Sequence, residues 1–333
     1  MKAYQLKRYG KSDQTEFAEI LMPILGPYEI LVKVHAVGLN PIDNAIPTGA
    51  FKAILKFKLP HTMGSDIAGE VIEVGSEVKR FKNGDAIFAS VFGLDTGALA
   101  EYVALPETTA ALKPTTLDFV QAASIPMVGL TSWQALKIRA ELKPDQKVFI
   151  SAGSGGIGTF AIQLAKYLGA KVGTTTSTDN IDLVKRLGAD EVIDYKKQEF
   201  ENKLRSYDVA LVTLKGKVLE KSLGILKPKG RVISLVGPPD KAFASARGMN
   251  FVLRFVFGLL SSKIIRAARN RRIEYSFLFV HPDGHQLSEI GKLMDQGIIQ
   301  PVIDKVFLFH KSKEALSYLK QGRAKGKVVV KFL

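Results

Sequence analysis

The sequence predicts an α/β chain of two domains, the second built on a doubly wound parallel sheet. Three observations carry that reading. The chain has 333 residues, more than one ordinary hydrophobic core accommodates. The stretch "KVFISAGSGGIGTFAIQLAKYLGAKVGTTTSTDN", residues 147–180, reads as a strand, a glycine-rich turn, a helix and a second strand. Beyond it, short apolar segments alternate with helical ones, as in parallel strands buried on both faces.

Residues 148–150 form the first short apolar strand. The turn Gly153-Ser154-Gly155-Gly156-Ile157-Gly158 satisfies G-x-G-x-x-G. Ile157, Ala161, Leu164, Ala165 and Leu168 recur at helical spacing, and Gly169 ends that helix. One glycine permits the tight turn, one lets the backbone approach a pyrophosphate, and one lets helix and strand pack closely. The helix N-terminus offers free N–H groups to phosphates. Because strand, helix and second strand are all in place, the motif reads as a dinucleotide site.

The end of the second strand selects the cofactor. A carboxylate there binds the ribose hydroxyls of NAD, but this chain reads Thr174-Thr175-Thr176-Ser177-Thr178. Hydroxyls leave room for a 2′-phosphate, so NADP(H) is expected. Asp179 and Asp182 follow closely, and an inward Asp179 would repel that phosphate. Residues 189–195, 207–214, 230–237 and 275–280 continue the sheet as apolar strands.

Composition sets the class. Apolar residues make up 46% and charged residues 24%, as in a soluble globular chain. The absence of cysteine excludes disulfides, thiolate metal sites and a cysteine nucleophile, and fits a reducing compartment; a cytoplasmic protein is expected. The first ten residues lack the apolar core of a signal peptide. No apolar run reaches the ~18 residues of a spanning helix. Net charge is +15, with 12 Lys/Arg against 14 Asp/Glu in residues 1–125 and 35 against 18 in the remainder.

"HAVGLNPIDNAIPTG" (35–49), "MGSDIAGEVIEVGSEVKRFKNGDAIFA" (63–89), "GALAEYVAL" (97–105) and "SIPMVGLTSWQAL" (124–136) precede the glycine turn, and "GRAKGKVVVKF" (322–332) closes the chain. Together these motifs resemble the medium-chain dehydrogenase/reductase superfamily, and within it the zinc-free quinone and enone oxidoreductases. The resemblance implies a GroES-like β-rich domain over 1–124, completed by 297–333, and a Rossmann domain over 125–296. It implies an active site in the cleft between domains, and a homodimer in which "YSFLFV" (275–280) extends the sheet across the interface. Metal-dependent members place cysteine where this chain has Asn40 and a His-Glu pair where it has Ser65-Asp66, so no zinc is expected. His281 and His285 have i, i+4 spacing, but Pro282 and Gly284 argue for a loop.

By the same resemblance, Asn40, Asp43 and Thr131 match the catalytic positions. Thr131, Gly153, Ser154, Gly155, Gly156, Ile157, Gly158, Thr176, Ser177, Tyr195, Val212, Gly237 and Lys327 match the cofactor-binding ones. The implied activity is hydride transfer from NADPH to a quinone or an α,β-unsaturated carbonyl, small acceptors whose conjugation makes a metal unnecessary. Relatives often carry a Lys, Arg or Tyr just after "NPID", where this chain has Asn44, Ala45 and Pro47, and an acid where it has Val212. A second reading therefore stands: an NADPH-binding sensor or docking protein with little catalysis.

Residues 241–273 hold eight basic residues and no acidic one. Phe251, Phe255, Leu259 and Leu260 fall near one helical face there, followed by Lys263, Arg266, Arg269, Arg271 and Arg272. One reading is an amphipathic helix over the substrate cleft with a solvated basic end. The other is weak contact with an anionic membrane. No nucleic-acid motif accompanies the charge, so a nucleic-acid partner is not expected.

Overall fold

The computed structural model describes residues 1–10 and 14–332. The chain divides into two compact units, residues 1–130 with 281–333, and residues 131–280.

The first unit is β-rich. Its strands are β1 (Lys2–Leu6), β2 (Thr15–Glu19), β3 (Glu29–Leu39), β4 (His61–Thr62), β5 (Asp66–Val74), β6 (Ala86–Ser90), β7 (Tyr102–Pro106) and β8 (Ala110–Leu112). The second unit supplies β9 (Lys147–Ile150), β10 (Lys171–Thr176), β11 (Glu191–Asp194), β12 (Tyr207–Val212), β13 (Leu226–Ser234) and β14 (Glu274–Phe277). The chain then returns to the first unit with β15 (Ile303–Leu308) and β16 (Lys327–Lys331). A small sheet runs β2-β1-β4. A larger one runs β15-β16-β3-β5-β6-β8, with β7 also on β3.

Two registers in the larger sheet place the chemistry of this unit. Gly38 of β3 lies opposite Asp66 of β5, and Leu39 lies opposite Val328 of β16. Asn40, Asp66 and Lys327 therefore gather at one end of three adjacent strands. Gly38 has no alternative there, since a Cβ would stand 2.1 Å from the carbonyl oxygen of Ala123.

The first unit also takes the helix Gly284–Asp295, which the sequence reading put before the 296/297 boundary. Gly284 lies so close to β8 that a Cβ would meet the Ala110 carbonyl oxygen at 2.1 Å. His285, expected in a loop, stands in the first turn of this helix. Asp283 caps it, accepting from the amides of His285 and Gln286 at 2.9 Å, which outweighs the neighbouring proline and glycine.

The second unit is a parallel sheet in the order β11-β10-β9-β12-β13-β14, the doubly wound order whose ligand crevice lies at the carboxyl ends of the strands. Phe149, Tyr207, Val212, Leu219, Leu223 and Val232 share its core. Gly173 interrupts the β-branched run of β10 because the Tyr207 phenol lies against it; a Cβ would stand 2.1 Å from that oxygen. β14 is shorter than the 275–280 expected and occupies the sheet edge.

The helix Phe251–Arg269 presents two different faces. The stripe Phe251, Phe255, Leu259, Leu260 faces solvent. The buried stripe is Phe257, Ser261, Ile264 and Ala268, spaced i, i+4, i+7, i+11. Ile264 and Ala268 join the sheet core beside Leu219 and Leu223.

Candidate functional site

In the second unit, the glycine turn follows β9 and leads into the helix Gly156–Tyr167. The first amides of an α-helix have no intrahelical acceptor, and the cap residue here is Gly155, which has no side chain to satisfy them. A Cβ at Gly158 would stand 2.3 Å from the Ala152 carbonyl oxygen, and one at Gly153 would stand 2.3 Å from Thr174 Oγ1. At Gly155 the nearest atom would be the Ala152 carbonyl oxygen at 3.4 Å. Two glycines thus serve close packing within the chain, and the third leaves an open approach to the uncapped amides. That geometry fits a dinucleotide pyrophosphate.

The threonine run of β10 divides by role. Thr174 is fully buried and donates to the Ile150 carbonyl at 2.6 Å, and Thr175 Oγ1 accepts from the Ala152 amide at 3.2 Å. These two brace the turn. Thr176 donates to Ser154 Oγ at 2.9 Å, and Asn180 Nδ2 donates to both Ser154 Oγ (3.2 Å) and Ser177 Oγ (3.1 Å). Ser154, Thr176, Ser177 and Asn180 therefore form one linked polar group at the end of β10. The Tyr195 amide donates to the Thr176 carbonyl at 3.1 Å, and Tyr195 is 60% exposed. Asp179 points outward, 76% exposed and 3.9 Å from Lys196 Nζ. Asp194 carries Thr178, whose hydroxyl donates at 2.6 Å and, with the nearby lysines, holds the carboxyl below the usual range.

Val212 and Gly237 stand at the carboxyl ends of β12 and β13 in the same unit. Val212 is buried, and the Gly237 amide donates to Ser234 Oγ at 2.8 Å. Thr131 is buried inside the helix Pro126–Trp133.

In the first unit, Asn40 precedes the short helix Pro41–Ala45, and its amide donates to Asp43 Oδ2 at 2.7 Å. Its side chain donates to Asp66 Oδ2 at 2.9 Å and accepts from Lys327 Nζ at 2.6 Å. Lys327 Nζ also lies 3.4 Å from Asp66 Oδ2. Ser65 donates to Asp43 Oδ1. Burial pushes the Asp43 carboxyl up to about 7 against the pull of these hydrogen bonds. The sequence reading missed Asp66 as a member of this group, although a lone acid in the apolar run "SDIAG" was a usable signal. Asn44, one of the departures after "NPID", is structural: its amide donates to the Leu316 carbonyl at 3.0 Å.

A narrow pocket opens beside Asp43 and Ser65, walled by Ile46, Phe57, His61 and Phe92. The His61 ring stacks on Phe57 at 3.9 Å, and burial lowers its pKa to about 4, so it is a neutral aromatic wall at physiological pH. The residues here do not fit a zinc ion. No thiolate is available, a lysine ammonium already answers Asp66, and no cluster of three metal-binding side chains exists among the described residues.

Comparisons with known proteins agree with both halves. Residues 26–115 match the alcohol dehydrogenase GroES-like domain family, and residues 187–330 match the zinc-binding dehydrogenase family. The zebrafish (Danio rerio) mitochondrial NAD(P)H oxidoreductase RTN4IP1 is 34% identical over 360 residues, covering 100% of this chain and 92% of the relative. The chloroplastic NADPH-dependent alkenal/one oxidoreductase of Arabidopsis thaliana is 34% identical over 344 residues, covering 99% and 79%. The structure of the quinone oxidoreductase from Coxiella burnetii superimposes with a TM-score of 0.85 at 31% identity, covering 99% of each chain. The role common to the names of these relatives is oxidoreduction, and two of them name NAD(P)H or NADPH. With its GroES-like and Rossmann units, this chain belongs to the medium-chain dehydrogenase/reductase superfamily, in the zinc-free quinone and enone oxidoreductase branch.

Proposed function

We propose that the chain is an NADPH-dependent, metal-independent reductase of quinones or α,β-unsaturated carbonyls. The observation that carries the cofactor choice is the end of β10. Ser154, Thr176, Ser177 and Asn180 present hydroxyls and an amide there, while the nearest following acid, Asp179, turns to solvent against Lys196. Such a surface accepts a 2′-phosphate, and the carboxylate opposite Thr176, that of Asp194, is engaged by the Thr178 hydroxyl. The names of relatives, an NADPH-dependent alkenal/one oxidoreductase and a quinone oxidoreductase, support the acceptor class.

When bound, the reduced nicotinamide supplies the hydride. The chain's own residues then have three tasks. The uncapped amides of Gly156, Ile157 and Gly158 hold the pyrophosphate. Phe57, His61 and Phe92 wall a cavity of about 10 Å³, room for a single water, and keep bulk solvent from Asp43. Asp43, with its carboxyl near 7, can take up or release a proton near neutral pH, and the Ser65 hydroxyl that donates to it is the route by which that proton would reach an acceptor oxygen that gains charge.

The test is nicotinamide oxidation with NADPH and NADH against a panel of quinones and short enones, without added metal. Turnover with NADPH preferred is expected. Ser177→Asp should lower the NADPH:NADH ratio of kcat/KM about a hundredfold, because a carboxylate facing the 2′-phosphate costs several kcal/mol. Tight NADPH binding without turnover on any acceptor would favour the sensor reading instead.

A homodimer through β14 belongs to this proposal, since an exposed parallel edge strand is a ready pairing surface. Light scattering should give twice the 36.4 kDa chain mass; a monomer at micromolar concentration would exclude it.

A further inference from the structure

The helix Phe251–Arg269 is held by one stripe and leaves the opposite one uncovered. Phe251, Phe255 and Leu259 are 80%, 65% and 57% exposed, and Val252, Val256 and Leu260 beside them are 50%, 39% and 58% exposed. At about 100° per residue, five of these lie on the half of the helix facing away from Phe257, Ser261, Ile264 and Ala268, with Leu260 at its margin. Single exposed apolar residues are ordinary, but a contiguous patch marks an interaction surface.

Along the same outward face the character changes. Beyond Leu260 it carries Lys263, Arg266 and Arg269, with Arg271 and Arg272 following. Lys263 reaches Glu220 at 3.2 Å, both side chains exposed. Arg266 and Arg269 make no ion pair among the described residues. A second copy of this helix could cover the apolar half but has no acid with which to answer the basic half. A bilayer with anionic headgroups answers both, with phosphates for the basic residues and the acyl boundary for the phenylalanines and leucine.

We propose that the outward face of Phe251–Arg269 docks reversibly on an anionic lipid surface. Phe251, Phe255 and Leu259 enter the headgroup–acyl boundary while Lys263, Arg266 and Arg269 meet lipid phosphates. The helix lies on the surface; no described helix is long and apolar enough to cross a membrane. The inference is independent of the reductase reading, because it uses none of the cofactor or pocket residues and is read by binding.

The full chain is sedimented with vesicles of phosphatidylcholine alone and of phosphatidylcholine with about a third phosphatidylserine. Pelleting with the anionic vesicles is expected, weakening as salt rises. R266Q/R269Q should lower the partition coefficient about thirtyfold, at about 1 kcal/mol per basic residue. F255S/L259S should also weaken binding, with an unchanged circular dichroism spectrum. Failure to pellet with anionic vesicles at low salt would overturn the proposal, as would equal pelleting of wild type and both variants. So would a dimer that F255S/L259S dissociates, or RNA retention on a filter, where vesicle binding is absent.

Discussion

Gly155→Ala is expected to leave the fold intact and to weaken NADPH binding about 10- to 100-fold, the worth of one or two hydrogen bonds to a charged group. The added methyl would touch nothing in the chain closer than 3.4 Å, and Gly155 has φ −79° and ψ 172°, ordinary extended backbone. What it would occupy is the approach to the uncapped amides of the helix that follows. Gly158→Ala should behave in the opposite way. Its methyl would stand 2.3 Å from the Ala152 carbonyl oxygen and 2.7 Å from Gly153 Cα, both backbone atoms that cannot swing aside. It should lower the stability of the second unit by about 1–3 kcal/mol. Fluorescence titration with NADPH and urea unfolding separate the two effects. Unchanged affinity in Gly155→Ala would mean that the pyrophosphate does not lie over this residue.

The glycine turn was legible in the sequence because its requirements are local: three glycines, a strand before and a helix after. The group around Lys327 was not, for the opposite reason. Lys327 is 287 positions from Asn40 and 261 from Asp66, and only the registers of β16 on β3 and β3 on β5 bring them together. Resemblance could place Lys327 in a site, but no spacing could pair it with Asp66. The helix Phe251–Arg269 was legible as amphipathic, but its pattern leaves open whether the apolar stripe packs over a cleft or faces outward. Phe251, Phe255 and Leu259 point outward, while the inward stripe combines Phe257 and Ile264 with Ser261 and Ala268, small enough to let the helix lie close to its neighbours. At His285 the local breakers Pro282 and Gly284 were given more weight than the cap Asp283 supplies.

Lys327→Met is expected to destabilise the first unit by about 3–5 kcal/mol at neutral pH, the usual consequence of removing one partner of a buried pair. The Lys327 side chain is 5% exposed and that of Asp66 fully buried, and Asp66 Oδ1 has no hydrogen-bond partner among the described residues. Burial pushes the Asp66 carboxyl up and the Lys327 ammonium down, and each pulls the other back. Without the ammonium, the carboxyl rises further. The folded variant then keeps a proton that the unfolded chain, with a carboxyl near 3.8, releases. Stability falls with rising pH wherever the folded state binds more protons; both proteins share this slope up to the wild-type Asp66 pKa, itself raised by burial, so the deficit should be small in acid and grow only above that pKa toward neutrality. The raised Asp43 carboxyl gives a slope of the same sign in both proteins, so it largely cancels in their difference. Adding Asp66→Asn should recover most of the loss, because no charge is then left buried without a partner. Urea unfolding of wild type, Lys327→Met and the double variant at acid and neutral pH reads all three effects. A deficit that ignores pH, or that Asp66→Asn deepens, would show that Lys327 stabilises the unit by packing and not by answering Asp66.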